Sequence, residues 1–313
     1  MSRANLLNSS LLLVAILAGF ALTRAVSSTG PGHEDPPSRR VEDSTGASIP
    51  VRDYRRIVST STIADQVLRR LVEPHRVLAV SAHTLRTATT AAYADKIGVE
   101  QAGDIETIIE LRPDIVFINN FVDRRHVERF KDAGLNVFDL GPMEGLRTLP
   151  TNIRQVAGVL GAPARGEAIV ESLLADLESV ADDIPEERRR RGLYVGIHGD
   201  RLFGGARGTS FHDVLAAGGL VDVATEAGFT GWPAYTSEQL LGLDPPWIVT
   251  NTGTERLLCS HPGFDALSAC RRNRIRGIRT DLLTDPGLGM VEAARAIRNA
   301  VYGPRRATRT APP

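Results

Sequence analysis

The chain has 313 residues, 42% hydrophobic and 24% charged, enough apolar material for one large or two medium cores, which excludes disorder as the main state. Thirty-seven basic residues balance thirty-seven acidic ones, so no global charge draws the chain to nucleic acid or to cations. Lys96 and Lys131 are the only lysines, and with no arginine stripe interleaved with aromatics the arginine bias reads as composition rather than as a binding surface.

The chain opens with Arg3 and an apolar run from Leu11 to Leu22, followed by the small-residue exit Ala25-Val26-Ser27. Residues 1–27 therefore read as a secretory signal peptide or, if uncleaved, as an N-terminal anchor. No cysteine near the exit offers an acceptor for lipid attachment. Residues 28–50, rich in Ser, Gly, Pro and charge, read as a flexible linker.

From Tyr54 onward short apolar runs alternate with helical spacing. Arg56 to Ser59 is a strand that opens into hydroxyls and a helix from Ile63, and Val77 to Val80 is a second strand. Ile105 to Leu111 is a helix closed by Arg112-Pro113, Asp114 to Ile118 a buried strand, Val127 to Ala133 a helix, and Asn136 to Leu140 another strand. This repetition over residues 51–148 predicts an α/β lobe with a largely parallel sheet. Residues 149–184 are helical, with an apolar stripe that Gly161 and Pro163 interrupt, and suit a strut between lobes. A second α/β set fills 185–303, with strands at Leu193 to Ile197 and Pro246 to Thr250 and a closing helix from Gly289 to Val301. Residues 304–313 read as a disordered tail. Two lobes of this kind gather their strand-end loops around a cleft.

Motif chemistry narrows the choice. The loop Gly204 to Ser210 lacks the Walker lysine and the dinucleotide spacing, so its glycines read as turn formers with Thr209 or Ser210 capping a helix. His33, His75, His83, His126, His198, His212 and His261 are scattered without zinc-ligand spacing, and no G-x-S-x-G elbow occurs. Cys259 and Cys270, the only cysteines, are a possible disulfide in an oxidising compartment. Glu106 and Glu238 occupy equivalent contexts, each in a short helix that runs through a proline turn into an apolar strand. That echo suits a pseudo-symmetric protein that presents one acidic side chain per lobe to a two-fold partner.

Five segments carry a resemblance: RRIVSTSTIADQVL at 55–68, GDIETIIELRPDIVFIN at 103–119, GLNVFDLG at 134–141, GTSFHDVLAAGGLVDVA at 208–224 and TSEQLLGLDPPWIV at 236–249. In their order and spacing the chain resembles the periplasmic solute-binding proteins of ABC importers, in the iron-siderophore and vitamin B12 family. The resemblance implies two Rossmann-like lobes with parallel sheets, joined by a single long backbone helix, with a ligand cleft between them. It implies no enzymatic activity and no permanently bound cofactor. The implied protein is a monomer outside the cytoplasm, exported by its N-terminal signal. It would capture a metal chelate, iron-siderophore or haem-like or cobalamin, and deliver it to an ABC permease dimer with its ATPase subunits.

Glu106 and Glu238 match the glutamates that pair with permease arginines in this family, and Trp232 stands where B12-binding members place an aromatic. By position, Ser59, Thr60, His83, Arg86, Asn119, Phe121, Phe203, Arg207 and Asp281 complete the expected ligand-binding set, with Arg86 and Arg207 facing any anionic ligand. Ala102 departs from the B12-binding pattern, where another aromatic stands. A bare metal-ion binding protein and an enzyme on a similar two-lobed fold are the alternatives.

Overall fold

Parallel strands need long crossovers, and the chain supplies a helix or loop between nearly every pair. The computed structural model describes residues 39–87, 91–100, 104–119, 123–283 and 287–304. A hairpin comes first, β1 (Arg40–Glu42) with β2 (Ser48–Pro50). The first lobe then runs β3 (Ile57–Ser59), α1 (Thr62–Leu71), β4 (Val77–Ser81), α2 (Ala82–Thr87), β5 (Ile97–Val99), α3 (Ile105–Glu110), β6 (Ile115–Ile118), α4 (Arg124–Asp132) and β7 (Val137–Asp139). Its five strands are all parallel, in the order β5-β4-β3-β6-β7. Strands β3 and β6 are buried at every position, as a sheet covered on both faces requires.

Two helices, α5 (Leu149–Val159) and α6 (Pro163–Val180), lead to the second lobe. The strut is thus a bent pair, because Gly161 turns the chain at a positive φ and Pro163 starts a new helix. The second lobe contains β8 (Arg190–Tyr194), β9 (Gly196–His198), β10 (Arg201–Phe203), α7 (Ser210–Ala217), β11 (Leu220–Asp222), α8 (Val223–Glu226), β12 (Ala234–Tyr235) and α9 (Ser237–Leu243). It continues with β13 (Trp247–Asn251), α10 (Glu255–Ser260), α11 (Ser268–Arg271), β14 (Ile275–Ile278), α12 (Thr280–Leu283) and α13 (Met290–Tyr302). Four of its strands form a parallel sheet in the order β11-β8-β13-β14, and β12-β10-β9 form a small antiparallel sheet beside it. The two-lobed α/β architecture with parallel sheets is the one the sequence predicts.

One hydrophobic cluster passes through both lobes. It joins Ile57 and Phe117 of the first sheet to Ile153, Val170 and Leu177 of the strut, and these to Tyr194, Val249 and Ile297 of the second lobe. The strut is therefore shared core rather than a hinge between separate cores.

Residues 40–50, read from composition as linker, form the hairpin instead. Its apolar side chains are few, but Ile49 is buried and Asp43 builds the turn, accepting the Thr45 and Ala47 amides at 2.8 and 2.9 Å. The same carboxylate accepts the Asp139 amide at 3.2 Å and pins the hairpin to the end of β7. The expected N-terminal export segment, residues 1–27, lies outside the described residues, and among those described no helix is long and apolar enough to cross a membrane.

Arginines that are separate in sequence also meet. The guanidiniums of Arg190, Arg274 and Arg276 lie 5.0, 5.4 and 4.8 Å from the ring centre of Trp247, so an arginine–aromatic cluster exists where linear inspection finds none. Its role is structural in part, since Arg190 and Arg276 donate to the Val301 and Ala300 carbonyls at the end of α13.

Cys259 and Cys270 are joined in a disulfide that spans 11 residues and ties α10 to α11. Closing a loop of that size is worth about 2–3 kcal/mol. Reduction, or the Cys259→Ser/Cys270→Ser variant, is expected to lower Tm by roughly 5–10 °C; an unchanged melting curve would show the bridge contributes nothing.

Candidate functional site

The largely apolar cleft between the lobes has a volume of about 310 Å³. Ile63 enters it from α1. Met143, Gly145, Thr148, Leu149 and Asn152 come from the start of the strut, and Leu283, Gly287 and Met290 from the chain before and at the start of α13. The second lobe supplies Tyr194, Phe203, Ser210, Phe211, Trp232 and Asn251. Tyr194 and Asn251 end β8 and β13, so the cleft lies at the carboxyl ends of the second parallel sheet, where a crevice is expected.

Four aromatic side chains form one wall. Phe211 stacks on Tyr194 with ring centres 4.0 Å apart and planes 17° from parallel, Trp232 meets Phe211 edge-on at 5.2 Å, and Phe203 meets Tyr194 at 6.2 Å. Phe211 and Tyr194 are buried, whereas Trp232 is 52% exposed. The indole is thus held by a buried stack on one edge and open to solvent on the rest of its surface. Burial raises the Tyr194 pKa, so its hydroxyl stays protonated; it lies 3.4 Å from the Asn251 side-chain oxygen.

The glycine-rich loop explains how Trp232 is held. The Gly204 amide donates to Pro233 O, Ala206 to Gly231 O and Gly231 to Arg207 O, each at 2.9 Å. The Arg207 amide donates to Thr225 Oγ1 at 2.9 Å. The Gly204 and Ala206 amides thus serve the Trp232 segment and the Arg207 amide serves α8, not a phosphate, and Thr209 caps α7 as its position predicts.

Of the expected ligand-binding residues, Phe203 and Trp232 line the cleft. Ser59 and Thr60 are buried in the turn before α1, where the Ser59 hydroxyl donates to Ser61 O at 3.0 Å. Asn119 is buried behind the cleft and donates to Met143 Sδ at 3.7 Å, which places it one residue away from the lining. His83 sits on α2 with its pKa pulled down by burial and by Arg86. Arg86 pairs with Glu100 at 2.6 Å, Asp281 pairs with Arg279, and Arg207 is exposed. Phe121 lies outside the described residues.

Both docking candidates are exposed in the first turns of short helices. Glu106 is held below the ordinary carboxylate pKa by a backbone hydrogen bond at the helix start and by Arg129, with which it pairs at 2.7 Å. Glu238 lies within a complete capping box of Thr236 and Gln239, and no described cation pairs with it. Among the described residues no three His, Cys, Asp or Glu side chains converge on one point.

Sequence reasoning missed Tyr194, Phe211, Asn152 and Met290. With only nine Phe, five Tyr and two Trp in the chain, the aromatics at the end of β8 and the start of α7 were the available signal.

A family model described as periplasmic binding protein matches residues 57–282. The ABC transporter substrate-binding lipoprotein YvrC of Bacillus subtilis is 21% identical over 215 residues, 65% of this chain and 68% of that protein. A cobalamin-binding protein of Halobacterium salinarum is 21% identical over 311 residues, 93% of this chain and 84% of its own. The periplasmic heme-binding protein RhuT from Roseiflexus sp. RS-1 superposes with a TM-score of 0.68 at 21% identity, over 79% of this chain and 99% of that one. At that identity the likeness establishes the fold.

Helix α7, which carries Phe211, is anchored behind the wall. His212 Nδ1 lies 2.8 Å from the buried carboxylate of Asp222, which also accepts from Thr225 Oγ1 at 2.7 Å. The Asp222 bond favours the imidazolium and raises the His212 pKa above about 6.5. The pair contributes fully to stability below that unfolded value and loses its contribution as pH rises through the higher folded one. The denaturation midpoint should therefore fall, as pH rises above about 6.5, more steeply than in His212→Gln; identical slopes would rule the pair out as the source.

Proposed function

The chain belongs to the periplasmic binding protein family, as the substrate-binding component of an ABC-type importer, and we propose that its cargo is a metal macrocycle, a haem or a corrinoid, laid against the aromatic wall. The observation that carries this reading is the exposed indole of Trp232 braced by Phe211, Tyr194 and Phe203 in the inter-lobe cleft. Flat conjugated rings gain most from such a surface, through apolar burial and offset or edge contacts. The relatives add support, since one is a cobalamin-binding protein and one similar structure is a heme-binding protein. At about 310 Å³ the cleft is at the small end of ligand sites, which suits cargo that enters edge first and leaves its periphery in the mouth.

Capture is stoichiometric, and the chain transforms nothing. Thr148, Asn152, Ser210 and Asn251 supply neutral hydrogen-bonding groups for the polar substituents of the ring. On the first-lobe side Ser59 and Thr60 support the turn before α1 and Asn119 backs the lining through Met143, while His83, Arg86, Arg207 and Asp281 meet substituents outside the cleft. Glu106 and Glu238 then dock the loaded protein on a permease dimer outside the cytoplasm. Glu106 exchanges its Arg129 partner for a permease arginine, while Glu238 engages directly. Such rim charges orient and speed docking more than they deepen affinity.

Absorbance titration with haem and cyanocobalamin tests the cargo. Trp232→Ala is expected to weaken binding of the true cargo about tenfold, the worth of one aromatic contact; equal affinity in the variant would remove Trp232 from the site. For docking, Glu106→Ala/Glu238→Ala should keep cargo affinity and lose ATP-driven uptake in reconstituted transporter vesicles. Undiminished uptake would refute the docking assignment.

A further inference from the structure

Two contacts cross between the lobes at the base of the cleft, and they mirror each other. From the first lobe, Gln66 on α1 accepts the Leu288 backbone N–H on its side-chain oxygen at 2.6 Å. From the second lobe, Asp213 on α7 accepts the Leu146 backbone N–H on its carboxylate, also at 2.6 Å. Leu288 lies in the short turn that leads into α13, and Leu146 in the short turn that leads into α5. In each case the helix after the lobe's opening strands holds the turn that begins the other closing helix.

The same two turns each place a glycine where no side chain fits. Gly145 has φ +60°, and a Cβ there would lie 2.0 Å from the Asp213 carboxylate and 2.8 Å from the backbone of Thr209. Gly287 has φ +41°, and its Cβ would lie 2.7 Å from the Gln66 side-chain oxygen and 2.9 Å from Ile63. Both glycines, together with Ile63 and Ser210 beside the acceptors, line the cleft itself. At Gly145 backbone is pressed onto the backbone of Thr209 and Ser210, and at Gly287 onto the Gln66 and Ile63 side chains, so each hydrogen bond forms at a close approach of the two lobes.

We propose that Gln66 and Asp213 are reciprocal inter-lobe latches, positioning residues that set the cleft width before cargo arrives. Two short bonds to buried or half-buried amides, one of them charge-assisted, act on lobes that already share a hydrophobic cluster. The empty protein then spends almost all its time in the binding-competent state, and no affinity is lost to closure. Loosening the latches adds an open population, and the apparent Kd rises by the inverse of the competent fraction, about tenfold when nine molecules in ten are open.

The latch follows from the contacts of Gln66 and Asp213 across the lobes; only its effect on affinity rests on the cleft being the cargo site. The test is a spin-label distance measurement between Arg125→Cys on α4 and Arg256→Cys on α10, both exposed, with the native disulfide intact so that the labels are specific. Without cargo, the parent should give one narrow distance distribution. Gln66→Ala/Asp213→Ala should add a longer-distance population, and Gly145→Ala should do the same by wedging the turn from Asp213. Gln66→Glu/Asp213→Asn keeps both acceptor oxygens and should restore the narrow distribution, a rescue that general loss of packing would not show. If the double alanine variant folds poorly, Asp213→Ala alone is read the same way. A folded alanine variant with the parent distribution would overturn the latch. A widened distribution with unchanged haem and cyanocobalamin affinity would leave the latch standing and remove the cleft as the cargo site.

Discussion

Parallel sheets impose the plan of this molecule. A strand that must be followed by a parallel neighbour returns through a crossover, so each sheet is covered on both faces and sends its loops out at one end. In the second lobe that end carries Tyr194 and Asn251, and the loops that follow bring in Phe203, Phe211 and Trp232. In the first lobe, the helix after β3 brings Ile63 and Gln66 to the same space. The cleft is what remains when two such ends face each other across a strut whose residues belong to a common core.

The chemistry of that space follows from what the fold does with polar groups. Buried ones are spent on architecture: Asp65 accepts from the Ser81 amide and the Thr84 hydroxyl, Asp222 holds His212 and Thr225, and Asp43 builds the hairpin turn. Several surface charges pair with one another, as Arg86 does with Glu100 and Arg279 with Asp281. The lining is left to aromatic and aliphatic groups with a few neutral amides and hydroxyls. A surface of that kind selects by shape and apolar area rather than by charge.

The architecture was legible because periodicity survives in a single sequence. Asp114 to Ile118 reads as a buried strand between Pro113 and Asn119, and the stripe Ile169, Val170, Leu173, Leu174, Leu177 and Val180 reads as a helix with one covered face, although Leu174 stays exposed. The cleft was legible only where a residue stood at a strand end or beside a marked turn, as with Phe203 and Trp232. Tyr194 and Phe211 were missed because each looks like ordinary core; their joint role exists only once β8 and α7 stack the rings at 4.0 Å. The hairpin at 40–50 was hidden because an Asp-centred turn holds it, with little apolar content to read. The arginines around Trp247 were hidden because Arg190 arrives on β8 while Arg274 and Arg276 arrive at the start of β14, more than eighty residues on.

The central claim is that the aromatic cleft captures an intact metal macrocycle. Native mass spectrometry of the purified protein, incubated in parallel with haem, cobalamin, ferric siderophores and free metal ions, addresses it directly. The account predicts a one-to-one adduct with the mass of the whole macrocycle complex, lost first when Trp232 is replaced by Ala. Selective uptake of a bare ion, or of a siderophore with no macrocycle bound, would contradict it.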